Sequence, residues 1–99
     1  MIVMFTARRL KPGAWDDFRR AWDPSGEAPP GLQRAYHARN IRDEDELISF
    51  GLFDMSKDDY HRWREEADAA ENQRVDRLSA FVEHEHVSGV YEVIDTFDG

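Results

Sequence analysis

His37 is the residue of this sequence best suited to move a proton near neutral pH. A histidine beside a pocket can act as general base on a phenol or quinol. It stands midway along Leu32 to Asn40, a run that alternates as a strand. Arg39 lies two residues on and shares its face, where a guanidinium could stabilise the anion left by deprotonation. The plainer alternative is a histidine that merely faces a sheet surface or an interface. His84 and His86, also two apart, share a strand face at a spacing that suits two metal ligands. No third ligand stands nearby, because Glu85 points the other way, so a solvated pair is the reading and no metal is assigned. His84 could also belong to the preceding helix end, where a cation is favoured. Trp15, Trp22, Tyr60 and Trp63 recur at helical spacing. Core packing accounts for most of them. Tyr60 and Trp63 directly follow a strand and are the expected walls of a pocket for a flat apolar ligand, with Tyr36 and Tyr91 as candidate hydroxyl donors to it.

The elements that must position these residues follow from periodicity. Met1 to Arg9 reads as a strand, and Lys11-Pro12-Gly13 turns the chain. Trp15, Phe18 and Trp22 then mark one face of a helix over Ala14 to Trp22, which Pro24 stops. Asp23 to Gly31, with three prolines and two glycines, reads as a loop. Leu32 to Asn40 is the second strand. Leu32, Tyr36 and Ala38 share one face with Arg34, while Gln33, Ala35, His37 and Arg39 share the other. Arg42 to Glu46 reads as a charged connection, and Leu47 to Asp54 as the third strand. Ser56, with Asp59 three residues on, predicts a helix start, and Met55 and Tyr60 flank it as a hydrophobic staple. Helical pattern runs from Lys57 to Val82, with a second start expected at Asp68 and Glu71. Glu85 to Ile94 closes the chain as a strand. Gly51 and Gly89 interrupt strands, as a bulge or a close backbone approach would require.

Strand–helix–strand–strand–helix–strand is the order of a ferredoxin-like split βαβ fold: a four-stranded antiparallel sheet with helices on one face, α+β in class. Ninety-nine residues fit one domain, 1–99. The net charge of −8 argues against a nucleic-acid partner, which would need clustered Lys and Arg. With no cysteine, disulfide and thiol chemistry are excluded. Met1 to Phe5 is apolar, but Arg8-Arg9 follow at once, so no signal peptide is expected. Leu47 to Phe53 is far short of a membrane span. No membrane partner is expected, and the cytoplasm is the expected compartment.

One feature of the sheet predicts a partner. Ile2 and Met4 oppose Val3 and Phe5 across the first strand, and Ile48, Phe50 and Leu52 oppose Leu47 and Phe53 across the third. Both faces are thus apolar, yet helices on one side cover only one of them. A homodimer through the open sheet face is the simplest cover.

The stretch Leu47-Ile48-Ser49-Phe50-Gly51-Leu52-Phe53-Asp54-Met55-Ser56, followed by Tyr60 and Trp63, resembles the antibiotic biosynthesis monooxygenase-like family. So does Val87-Ser88-Gly89-Val90-Tyr91-Glu92-Val93, and the Lys11-Pro12-Gly13 turn fits it. The resemblance implies a dimeric α+β barrel built from two ferredoxin-like units with facing sheets. It also implies one of several activities, among them cofactor-independent oxygenation of aromatic polyketides or quinols, and haem degradation. Haem-degrading members carry an Asn late in the first strand, where this sequence has Thr6 and Ala7. The expectation is therefore an oxygenase of an aromatic or quinol-like small molecule, needing no cofactor, with His37 as base and Arg39 as anion stabiliser. The alternative is a dimeric barrel that binds a small ligand, or serves in stress, without catalysis.

Overall fold

The computed structural model describes residues 1–23 and 29–99. Strand β1 (Ile2–Leu10) leads to helix α1 (Trp15–Trp22), strands β2 (Leu32–Asn40) and β3 (Asp43–Phe53), helix α2 (Lys57–Ser79) and strand β4 (Val82–Glu92). The strands form one sheet in the order β2-β3-β1-β4, with every neighbouring pair antiparallel. This is the α+β ferredoxin-like arrangement that the periodicities predict. Of the loop expected over Asp23 to Gly31, residues 24–28 lie outside the described residues. Among the described residues no helix is long and apolar enough to cross a membrane.

Local chemistry explains the helix boundaries. Gly13 adopts φ +71°, a conformation that costs glycine little, and the Ala14 N–H donates to the Lys11 carbonyl at 3.1 Å to close the turn. Asp16 and Asp17 in the first turn of α1, and Arg19 and Arg20 in the last, complement its dipole. Ser56 caps α2 by accepting from the Asp59 N–H at 3.0 Å. Tyr60 packs against the cluster that holds buried Met55, on the two sides of the cap where a staple is expected. The second start expected at Asp68 does not occur: α2 runs unbroken for 23 residues. Asp68 instead pairs with Arg64 at 3.1 Å and accepts from the Asn72 amide at 3.3 Å, four residues away on either side. Such pairs support a helix interior rather than a cap. The helix ends at Ser79, short of Val82, which opens β4 and places His84 within a strand.

The charged run before Leu47 also differs from expectation. Only Ile41 and Arg42 turn the hairpin, and Asp43 to Glu46 are strand residues. Arg9 of β1 holds them there, donating from Nη1 to Asp43 at 2.8 Å and to Glu46 at 2.9 Å. The register is regular at Gly51 and Gly89, so neither marks a bulge. Each is a close approach: a Cβ at Gly51 would stand 2.8 Å from the Phe53 ring, and one at Gly89 2.7 Å from the Tyr91 hydroxyl. The glycines let those rings lie flat along their strands.

Alternation divides the sheet into two unlike faces. Ile2, Met4, Thr6, Arg8 and Leu10 of β1 turn toward the helices, as do Leu47, Ser49, Gly51 and Phe53 of β3. The core beneath the helices is split. Leu10, Ala14, Phe18, Leu47 and Leu78 form one cluster, while Ile2, Phe53 and Met55 form another. The opposite face carries Val3, Phe5, Ala7, Tyr36, Ile48, Phe50, Leu52, Val87 and Tyr91, with Ile48 37% and Tyr91 49% exposed. Phe50 stacks on Tyr36 at 4.9 Å and on Phe5 at 6.5 Å, making a flat aromatic strip.

Candidate functional site

A cavity of about 300 Å³ opens between the sheet and α2, beside the cluster of Ile2, Phe53 and Met55, and reaches Trp22, which packs against the other cluster. Its volume is within the range of small-molecule sites. Met4, Thr6 and Arg8 of β1, Ser49, Gly51 and Phe53 of β3, and Ser88 and Val90 of β4 contribute to its floor. Tyr60, Trp63, Arg64, Glu71, Arg74 and Val75 of α2 wall it from above, and Trp22 of α1 closes one side. The Tyr60 and Trp63 rings stand 6.2 Å apart, three residues along one helix face. The side chain absent at Gly51 leaves room over the sheet for Phe53 to lie flat.

The structure brings together some of the residues expected from sequence and separates others. Tyr60 and Trp63 line the cavity. Tyr36 and Tyr91 do not, because strand alternation puts both on the open sheet face. Arg39 is exposed two residues past His37 toward the hairpin, roughly 7 Å along the strand. It lines a separate hollow of about 290 Å³ with Asn40 and Glu46. His84 and His86 touch each other at 4.6 Å, and His86 Nε2 lies 3.1 Å from Glu46. No group of three or more residues able to hold a metal occurs among the described residues. His61, a helix histidine overlooked in the sequence reading, is exposed beside Tyr60.

His37 sits behind the cavity wall, packed edge-on against Trp22 at 4.6 Å, Trp15 at 5.4 Å and Phe18 at 6.1 Å. Its Nδ1 shares a hydrogen bond of 2.7 Å with Ser49 Oγ. Ser49 is buried and lines the cavity, so the imidazole reaches that space through one hydroxyl. Burial among the rings pushes the imidazole pKa down from 6.5 to about 4, with Arg19, Arg8 and Arg74 adding to the effect. Because the folded value is below the unfolded one, folding favours neutral His37. The stability tied to it is present above the unfolded pKa of 6.5 and is lost as pH falls toward 4. An NMR titration is expected to place the His37 midpoint near 4, and the wild-type unfolding temperature should fall more steeply below pH 6 than that of His37→Gln. A midpoint near 6.5 would contradict this environment.

Two arginines are the site residues that the sequence reading missed. Arg8 points inward from β1, where its Nη1 donates to Thr6 Oγ1 at 2.7 Å and its guanidinium covers the Phe18 ring at 5.5 Å. Arg74 reaches across from α2, donating from Nε to the Trp22 carbonyl at 2.6 Å and lying 4.7 Å over the Trp22 ring. Burial lowers the pKa of both. A helical Arg reads as solvated from sequence, but the arginine at Arg8 alternates in step with Met4 and Leu10, a signal of its inward aim.

No family profile matches the sequence, and no curated protein matches it. Solved structures do match. A candidate antibiotic biosynthesis monooxygenase from Deinococcus radiodurans superposes with a TM-score of 0.73 at 12% identity, over 99% of this chain and 97% of that one. A second from Chloroflexus aurantiacus gives 0.68 at 11% identity, over 98% and 96%. SnoaB, a cofactor-independent oxygenase from Streptomyces nogalater, gives 0.66 at 17% identity, over 99% and 98%. Across nearly its whole length, the chain has the α+β ferredoxin-like fold of the antibiotic biosynthesis monooxygenase proteins.

Proposed function

We propose that this protein is a cofactor-independent monooxygenase of an aromatic or quinol-like small molecule, bound in the cavity between sheet and α2. The observation that carries the reading is a roughly 300 Å³ aromatic-walled cavity whose floor presents Ser49, hydrogen-bonded at 2.7 Å to His37. With Nδ1 unprotonated, the Ser49 hydroxyl donates to His37 and its oxygen can accept a proton from the substrate. The resulting carbanion or phenolate reduces dioxygen directly. For an anthrone, the ring CH₂ becomes C=O, one oxygen atom enters the product, and the other leaves as water with the two hydrogens. Arg8 replaces Arg39 as the cation near the developing anion, because it lines the same space.

The open sheet face extends the proposal to a homodimer, with one domain of 1–99 per subunit. Phe5, Phe50 and Tyr36 would be its centre, and the solution mass should be twice the 11.6 kDa of the chain. Sedimentation checks this. Phe50→Asp should shift the protein toward monomer, whereas a wild-type mass near 11.6 kDa at micromolar concentration contradicts it. Lacking cysteine, the protein fits a reducing cytoplasm.

A second reading is a barrel that binds its ligand without turning it over. The low His37 pKa of about 4 favours it, because so weak a base takes a proton less readily at neutral pH. Oxygen uptake with anthrones and hydroquinones separates the two. Saturable uptake above the uncatalysed rate supports the oxygenase, whereas ligand binding with no added uptake supports the binder.

A further inference from the structure

We infer that the cavity is built for an aromatic acid, a flat ring system carrying a carboxylate, with the carboxylate held between Arg8 and Arg74. This inference rests on the reading that the cavity is the ligand site and goes beyond it by assigning the charge of the ligand.

The charge of the lining is opposite to that of the whole protein. The sequence carries a net charge of −8, yet three arginines and one glutamate line the cavity. The carboxylate partner of Arg8 stands on the solvent side: the Glu85 side chain is 47% exposed and does not line the cavity, while that of Arg8 is 11% exposed. Arg8 meets Glu85 through a single Nε contact of 3.3 Å, and Arg74 meets Glu71 through a single Nη1 contact of 3.3 Å. Both are longer than a good charge-assisted bond, about 2.7–2.9 Å, and neither uses the guanidinium fork. Two desolvated cations in one space repel each other, and a carboxylate placed between them would relieve that repulsion.

The cavity is also graded along its length. At the Met4 end it is apolar and aromatic, bounded by Phe53, Tyr60 and Trp63. At the Arg8 end it is basic, with the Thr6 hydroxyl 2.7 Å from the guanidinium. Arg8 lies four residue steps beyond Met4, about 13 Å along the strand. That distance suits a bicyclic arene lying along the strand with its acid group at the basic end. A neutral ring would occupy the aromatic half and bring no counter-charge to Arg8 and Arg74.

The test compares 2-naphthoate with its neutral analogue 2-naphthamide, read by quenching of Trp22 and Trp63 fluorescence. Wild-type protein should bind the naphthoate at least about tenfold more tightly. Arg8→Met and Arg74→Met should each shrink that ratio, while Arg20→Met, on the exposed side of α1, should leave it unchanged. Affinity for naphthoate, and not for naphthamide, should fall as salt is raised, a measurement that needs no variant. Equal affinities, absence of naphthoate binding, or a ratio that survives in both inward variants would overturn the inference. The oxygenase reading fails separately. Charge discrimination without oxygen uptake defeats catalysis and leaves the acid site standing, and turnover of neutral rings with no discrimination does the reverse.

Discussion

Ser49→Ala and His37→Ala are each expected to lower the rate of anthrone oxidation about 10²-fold or more, the usual contribution of a positioned base. The geometry places the two groups in series. Ser49 lines the cavity and His37 does not; the imidazole stands 2.7 Å from Ser49 Oγ, packed against three aromatic rings. If the two form one proton path, loss of either link breaks it, and the double variant should be no slower than the slower single one. Effects that multiply would instead mean that the two residues act independently. Because removal of the imidazole also leaves space beside Trp15 and Trp22, His37→Gln is the better-packed companion. It should keep the unfolding temperature closer to wild type while losing turnover.

The largest effect on stability is expected at Phe18, the one fully buried large side chain among the described residues. It joins Leu10, Ala14, Leu47 and Leu78 in the cluster that ties α1 to the sheet and to α2. Its ring also supports the Arg8 guanidinium at 5.5 Å and the His37 ring at 6.1 Å. Phe18→Ala removes this volume where neighbours on three elements cannot close in, so about 3–5 kcal/mol should be lost. That is a large share of the roughly 5–15 kcal/mol that holds a domain of this size together. The unfolding temperature should drop by at least about 10 °C, whereas truncation of an exposed residue such as Ile41 changes stability by less than about 0.5 kcal/mol. A loss at Phe18 below about 1 kcal/mol would place the core elsewhere.

Much of this organisation is written in the periodicity. Alternation placed Ala35 and His37 on one face of β2 and Tyr36 on the other, and the sheet has that arrangement. The same alternation opposes Tyr36 as a pocket wall, since the cavity lies on the face of His37. Two features were not legible because they depend on partners distant in sequence. Asp43 to Glu46 look like a solvated turn until Arg9, more than thirty residues earlier, supplies the cation that keeps them in the strand. Arg74 looks like one of several surface charges on α2 until the carbonyl and ring of Trp22 give its guanidinium a buried place. Local patterns fix elements and faces, whereas a cavity is made by what the elements bring together across the fold.

Oxygen insertion into an aromatic ligand by this cavity can be read from isotope labelling. Anthrone turned over under ¹⁸O₂ should give a quinone carrying one ¹⁸O, at a rate that rises with protein concentration and is largely lost in Ser49→Ala. A labelled product that forms no faster with protein than without it would mean that the protein does not catalyse the insertion.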